Sequence, residues 1–188
     1  HEDETINDLL AEQLELMFLT SEQCETRWLG RAPAAEESVA AAERRLGVQF
    51  PPSLRGFLLS SDGWLRTGDW VDRVYSCAEL DWMRNTGTGV NLLEVYRGSD
   101  EELEQLFERV LEVASGEDVW LLDPTDVAPD GEWRAYLFEP KYGDLEEFTG
   151  FVALFERSRE LMVEDLDEDE DEDEDDEDED EEEDEDDD

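Results

Sequence analysis

The chain has 188 residues, with 59 Asp+Glu against 14 Lys+Arg, a single histidine and a formal net charge of −45. Nucleic acid phosphates and anionic membrane surfaces repel so acidic a protein, which argues against direct nucleic acid binding and against membrane association. No apolar run approaches the roughly 18 residues that span a bilayer, no secretory signal opens the chain, and two cysteines make no disulfide framework, so a reduced, cytoplasmic setting is expected.

The first residue is His1 rather than Met, which reads as an expression remnant or a trimmed terminus. Ile6, Leu9, Leu10, Leu14, Met17 and Phe18 recur at helical intervals behind Thr5, a suitable N-cap. A loop over Thr26–Pro33 leads to a second helix over Ala35–Leu46, with Val39, Ala42 and Leu46 on one face and Gly47 as its left-handed stop. Pro51-Pro52 opens a third helix carrying Leu54, Phe57 and Leu58, which ends at Ser60-Ser61-Asp62-Gly63. Between Trp64 and Leu93 the runs shorten. Trp70–Tyr75 and Val90–Val95 read as strands, with a short helical piece at Ala78–Met83.

Ser99 and Glu102 then match a capping box ahead of the stripe Leu103, Leu106, Phe107, Val110 and Leu111. Val119–Leu122 is a buried strand closed by Asp123-Pro124, and Glu132–Phe138 pairs with it after the Asp130-Gly131 turn. Phe148, Phe151, Val152, Phe155 and Leu161 mark a last helix. Blocks of helix around a hairpin-rich middle define an α+β class.

Charge separates the tail from the rest. Residues 164–188 hold 24 acids among 25 positions, Leu166 being the exception; removing them from the 59 leaves 35 acids against 14 bases, or −21, in residues 1–163. Those 163 residues can bury roughly 70% of the surface that the unfolded chain exposes, enough for one core. The expected division is therefore an N-terminal helix and loop (1–33), an α+β domain (34–163) and a disordered polyacidic tail (164–188).

Few residues suggest a reaction. With His1 the only histidine, a Ser-His-Asp or Cys-His arrangement has no internal imidazole. Cys24 and Cys77, 53 positions apart, do not form a zinc ligand set. Thr86-Gly87-Thr88-Gly89 lacks the third glycine of a dinucleotide fingerprint and reads as a flexible loop between strands. Asp123 and Asp126 suit turn capping as well as acid–base work. No catalytic, metal or cofactor residue is assigned. Trp120, Trp133 and Tyr136, on adjacent strands, fit sheet packing; any of them left exposed would be an interface anchor.

The stretch Glu43-Arg44-Arg45-Leu46-Gly47-Val48-Gln49-Phe50-Pro51-Pro52, continuing through Phe57-Leu58 to Gly63, resembles the Smi/Knr-like SUKH superfamily. Trp120–Pro124 with Gly131–Ala135 looks like the family's paired strands, and Glu147–Phe151 resembles the entry to its last helix. Phe50 stands where the family usually has Leu, and Trp64–Ser99 is poorly matched. The resemblance implies one domain with a central, mostly antiparallel sheet flanked by helices. It also implies a non-enzymatic protein-binding role, since many bacterial members are immunity proteins that neutralise a toxin, often a nuclease.

The expected partner is thus a basic protein, of the nuclease-toxin kind. An extended acidic run such as Asp167–Asp188 spaces its charges at up to ~3.3–3.6 Å per residue, close to the ~3.4 Å phosphate spacing of one DNA strand. Asp167, Glu168, Asp169 and Glu170 are therefore candidate partner contacts beside the aromatic trio, although a solubilising tail that engages nothing specific accounts equally for the run. Two other functions stay open, a regulatory scaffold of the Smi/Knr type without a toxin partner and a carboxylate-based hydrolase.

Overall fold

Helix α1 (Glu36–Leu46) carries Glu36 and Glu37 in its first turn and Arg44 and Arg45 in its last, the arrangement that opposes the helix dipole. It buries Val39, Ala42 and Leu46 and closes on Gly47 at φ 76°. Pro51 extends the chain into α2 (Pro52–Ser60), where a proline at the first position forfeits no hydrogen bond, and Leu54 and Leu58 turn inward. Both helices follow the apolar spacing. The structure, a computed structural model, describes residues 25–26, 28–65, 67 and 70–161. The helix expected over Ile6–Phe18 and the acidic tail lie outside them. The described residues divide into two units between Gly30 and Arg31, and the sheet with its covering helices belongs to the second.

The sheet has β1 (Trp64–Leu65), β2 (Arg73–Val74), β3 (Asp81–Trp82), β4 (Leu111–Ser115), β5 (Val119–Val127), β6 (Trp133–Glu139) and β7 (Asp144–Phe148). All pairings are antiparallel, in the order β1-β2-β4-β5-β6-β7, with β3 lying beside β4 in line with β2. Among the described residues, helices α3 (Gly87–Tyr96), α4 (Glu101–Arg109) and α5 (151–161) cover the sheet with α1 and α2. This is the α+β single-domain architecture that the sequence implies, with helices on both faces of the sheet.

The centre of the sheet explains the run Val119-Trp120-Leu121-Leu122. Alternate side chains of a strand point to opposite faces. Trp120 and Leu122, with their partners Leu137 and Ala135, join a core shared with α1, α2 and α5. Val119 and Leu121, paired with Phe138 and Tyr136, join a second core with Leu93 of α3 and Leu106 and Phe107 of α4. Burial on both faces removes the need for polar alternation. Edge-to-face rings tie each core: Phe107 and Phe138 centre 5.0 Å apart, Trp120 and Phe155 5.2 Å. Each such pair contributes about 1 kcal/mol beyond its burial.

Several local expectations are corrected. Val90–Val95 is not a strand but the body of α3, and Thr86-Gly87-Thr88-Gly89 is that helix's start rather than a loop between strands. Thr86 caps it by accepting the Gly89 N–H at 3.0 Å. Glycine is required at 89 because a Cβ there would sit 1.8 Å from the Met83 carbonyl oxygen. Ala78–Met83 is not helical: residues 77–79 turn, Asp81–Trp82 forms β3, and a 3₁₀ turn follows at Met83–Asn85.

The cap of α4 is Asp100, not Ser99. Its carboxylate accepts the N–H groups of Glu102 and Leu103, while the Ser99 hydroxyl bonds back to Val95 and Tyr96 carbonyls. The helix stops at Arg109, so Leu111 opens β4 instead of completing a helical stripe. Likewise Phe148 ends β7 and only Phe151 begins α5.

Candidate functional site

One end of the sheet holds a groove. Residues 70–72 are drawn against the β4–β5 turn by two backbone bonds, Asp118 N–H to the Trp70 carbonyl at 2.9 Å and Asp72 N–H to the Ser115 carbonyl at 3.1 Å. Gly116 makes this approach possible, since a Cβ there would lie 2.4 Å from the Trp70 oxygen and 2.6 Å from the Asp72 nitrogen. Helix α5 and the β6–β7 turn form the other wall.

The groove has a narrow inner part of about 20 Å³ and a wider mouth of about 210 Å³, which share Trp70, Asp118, Leu137, Arg157 and Leu161. The inner part has an apolar floor of Trp120, Phe148 and Leu154, and Thr67, Ser158, Asp118 and Arg157 are its polar lining. Thr67 is only 5% exposed; its N–H donates to Val71 and its carbonyl accepts the Ser158 hydroxyl, yet its own Oγ1 is buried without a hydrogen-bond partner. A buried hydroxyl left unpaired is costly and uncommon.

The mouth is charged. Glu117, Asp118, Glu139 and Glu146 line it against Lys141 and Arg157, four acids to two bases among the described residues. Arg157 is already engaged, 3.9 Å from Glu146 and 3.8 Å from Glu160. Burial, then the neighbouring charges of Glu139 and Glu117, push Asp118 up to about 6. Trp70 and Tyr142, 45% and 66% exposed, present aromatic faces at the rim.

The residues singled out from the sequence do not converge. Trp120 is 1% exposed and reaches the groove only as its floor. Trp133 is buried in the core shared with α1 and α2. Tyr136 lies on the opposite face, in a shallow depression with Asp100, Arg109 and Glu147, where burial raises its phenol above the usual range. None of the three presents an exposed aromatic anchor in this fold. Asp167, Glu168, Asp169 and Glu170 lie outside the described residues. Thr67, Trp70, Asp118 and Glu139 are not among the sequence-derived site candidates.

Two other polar clusters are internally satisfied. Asp123, 1% exposed, accepts from Arg109 Nε at 2.8 Å and from the Thr125 N–H and hydroxyl at 2.8 and 2.7 Å. Asp126 pairs with Arg134 at 3.1 Å. Glu112, fully buried, accepts the Tyr75 hydroxyl at 2.6 Å and the Thr86 hydroxyl, and burial raises its carboxyl. Among the described residues no grouping of His, Cys, Asp and Glu could hold a metal ion. No helix among them is long and apolar enough to cross a membrane.

A model of the SMI1 / KNR4 family (SUKH-1) matches residues 33–188. No curated protein matches the chain.

Proposed function

Because the chain belongs to the SMI1 / KNR4 family (SUKH-1), we propose that it is a non-enzymatic, cytoplasmic binding protein of the immunity type, which neutralises a basic, nuclease-type toxin. The family is known for immunity proteins in toxin systems. The observation that carries the reading is the charge: 59 acids against 14 bases select a positively charged partner and accelerate encounter with it. A nuclease surface, basic because it grips phosphates, is a partner of that sign. The folded domain would supply specificity and the 24 acids of residues 164–188 a long-range attraction.

The test is co-expression with the protein encoded by a neighbouring reading frame that ends in a basic domain. A stoichiometric complex and protection of the cell are expected. Deleting residues 164–188 should slow association at low salt and make little difference at high salt, because added ions screen exposed charges beyond about 10 Å. An association rate unchanged by the deletion at every salt concentration removes the steering role. The absence of both protection and complex formation with every basic partner tried removes the immunity reading.

A further inference from the structure

The groove beside the β4–β5 turn has features that the fold does not use. Its Thr67 hydroxyl is held by backbone bonds on either side and yet bonds to nothing. Its mouth gathers four carboxylates around two bases. Trp70 stands open at the rim, and beside it Tyr142 already carries Lys141 Nζ 5.2 Å from its ring centroid. A hydroxyl can accept, a carboxylate attracts a cation, and an aromatic face stacks on a flat one. One side chain meets all three conditions. We propose that the groove receives a single arginine of the basic partner, its guanidinium forked onto Asp118, stacked beside Trp70 and donating to Thr67 Oγ1. The proposal rests on the basic-partner reading above and adds the place and the residue type.

Arginine fits better than lysine. A guanidinium is planar, weakly hydrated and carries five donors in a fork, whereas an ammonium is a compact, strongly hydrated point charge. The apolar floor of Trp120, Phe148 and Leu154 suits a side chain with limited hydration. The occupant would also answer the repulsion among Asp118, Glu117 of the same turn and Glu139 of β6, with Glu146 of β7 on the far side. Lys141 and, on α5, Arg157 are the bases that face it.

The experiment titrates the full chain at 150 mM salt, which is about the ionic strength that shortens charge attraction to ~8 Å. The probe is the peptide acetyl-Gly-Arg-Gly-amide, with its citrulline and lysine counterparts, followed by NMR. Saturable shifts are expected at Thr67, Asp118 and the Trp70 indole with the arginine peptide, weaker ones with lysine and none with citrulline. Asp118→Asn should weaken the arginine peptide about tenfold, the usual scale for one charge-assisted bond. Thr67→Val, which preserves shape, should weaken it less. Occupancy should fall between pH 7 and pH 5 as Asp118 gains its proton, and this dependence should disappear in Asp118→Asn.

Equal shifts in the parent and both variants overturn the proposal, as does equal binding of citrulline or lysine. A basic toxin that binds both variants as tightly as the parent also overturns it while leaving the immunity function intact. Saturable occupancy by the arginine peptide in a chain that protects against no toxin supports the groove and removes the function.

Discussion

One aspartate stands just before strand β5 and another lies within it, and the two are treated differently. Within the strand Asp123 is nearly inaccessible, but every contact it needs is internal: Arg109 takes one oxygen, and Thr125 donates twice to the other. Before the strand Asp118 is more open, and the influences on it all raise its proton affinity. None of the ion pairs among the described residues involves it. Burial alone therefore does not identify a functional carboxylate. The unanswered charge does, because a fold that pairs one acid completely and leaves a second in repulsive company has put the second where something else can pair it.

Three substitutions test that contrast. Arg109→Met strands the Asp123 carboxylate among apolar neighbours. Removal of one partner from a buried pair is severe, but Arg109 is 40% exposed and Thr125 keeps its bonds, so a loss of about 2 kcal/mol is expected in urea denaturation. Asp118→Asn should act in the opposite direction. The folded pKa of about 6 exceeds the ordinary 3.8, so the folded state holds the proton more tightly and ionisation lowers stability as pH rises through that window. The variant should therefore gain about 1 kcal/mol at pH 7 after allowance for water screening. The gain should vanish by about pH 3.5 in thermal melts.

Thr67→Val should give the smallest change, a gain of below about 1 kcal/mol from removing an unpaired buried hydroxyl. If Asp118→Asn destabilises the protein as Arg109→Met does, the two aspartates are alike and the contrast is lost.

The fold was legible where apolar periodicity had no rival. Val39, Ala42 and Leu46 can share only a helical face, and Val119–Leu122 with Glu132–Phe138 makes an unmistakable hairpin. Misreadings arose where two elements abut with no turn between them. Val110-Leu111 continues the α4 stripe in sequence, although the chain changes from helix to strand there, and an apolar run of that length suits either. In α3, Gly87 and Gly89 argued against a helix, while contact with Met83 required the second of them.

The groove was less legible still. Thr67, Trp70 and Asp118 are up to 51 positions apart and are joined by backbone bonds that no side-chain pattern announces. The conspicuous aromatics Trp120 and Trp133 are ones that the sheet needs for its own packing.

Gly116 gives the groove a second, purely spatial control. The charges around the mouth sit on side chains, whereas one added carbon at position 116 would push the backbone of residues 70–72 away from the β4–β5 turn. Shape and electrostatics are thus separable here. A binder engineered from this chain could be made wider at Gly116 or less acidic at Asp118 and Glu139, and the two adjustments would change which side chain fits and how strongly it is drawn in.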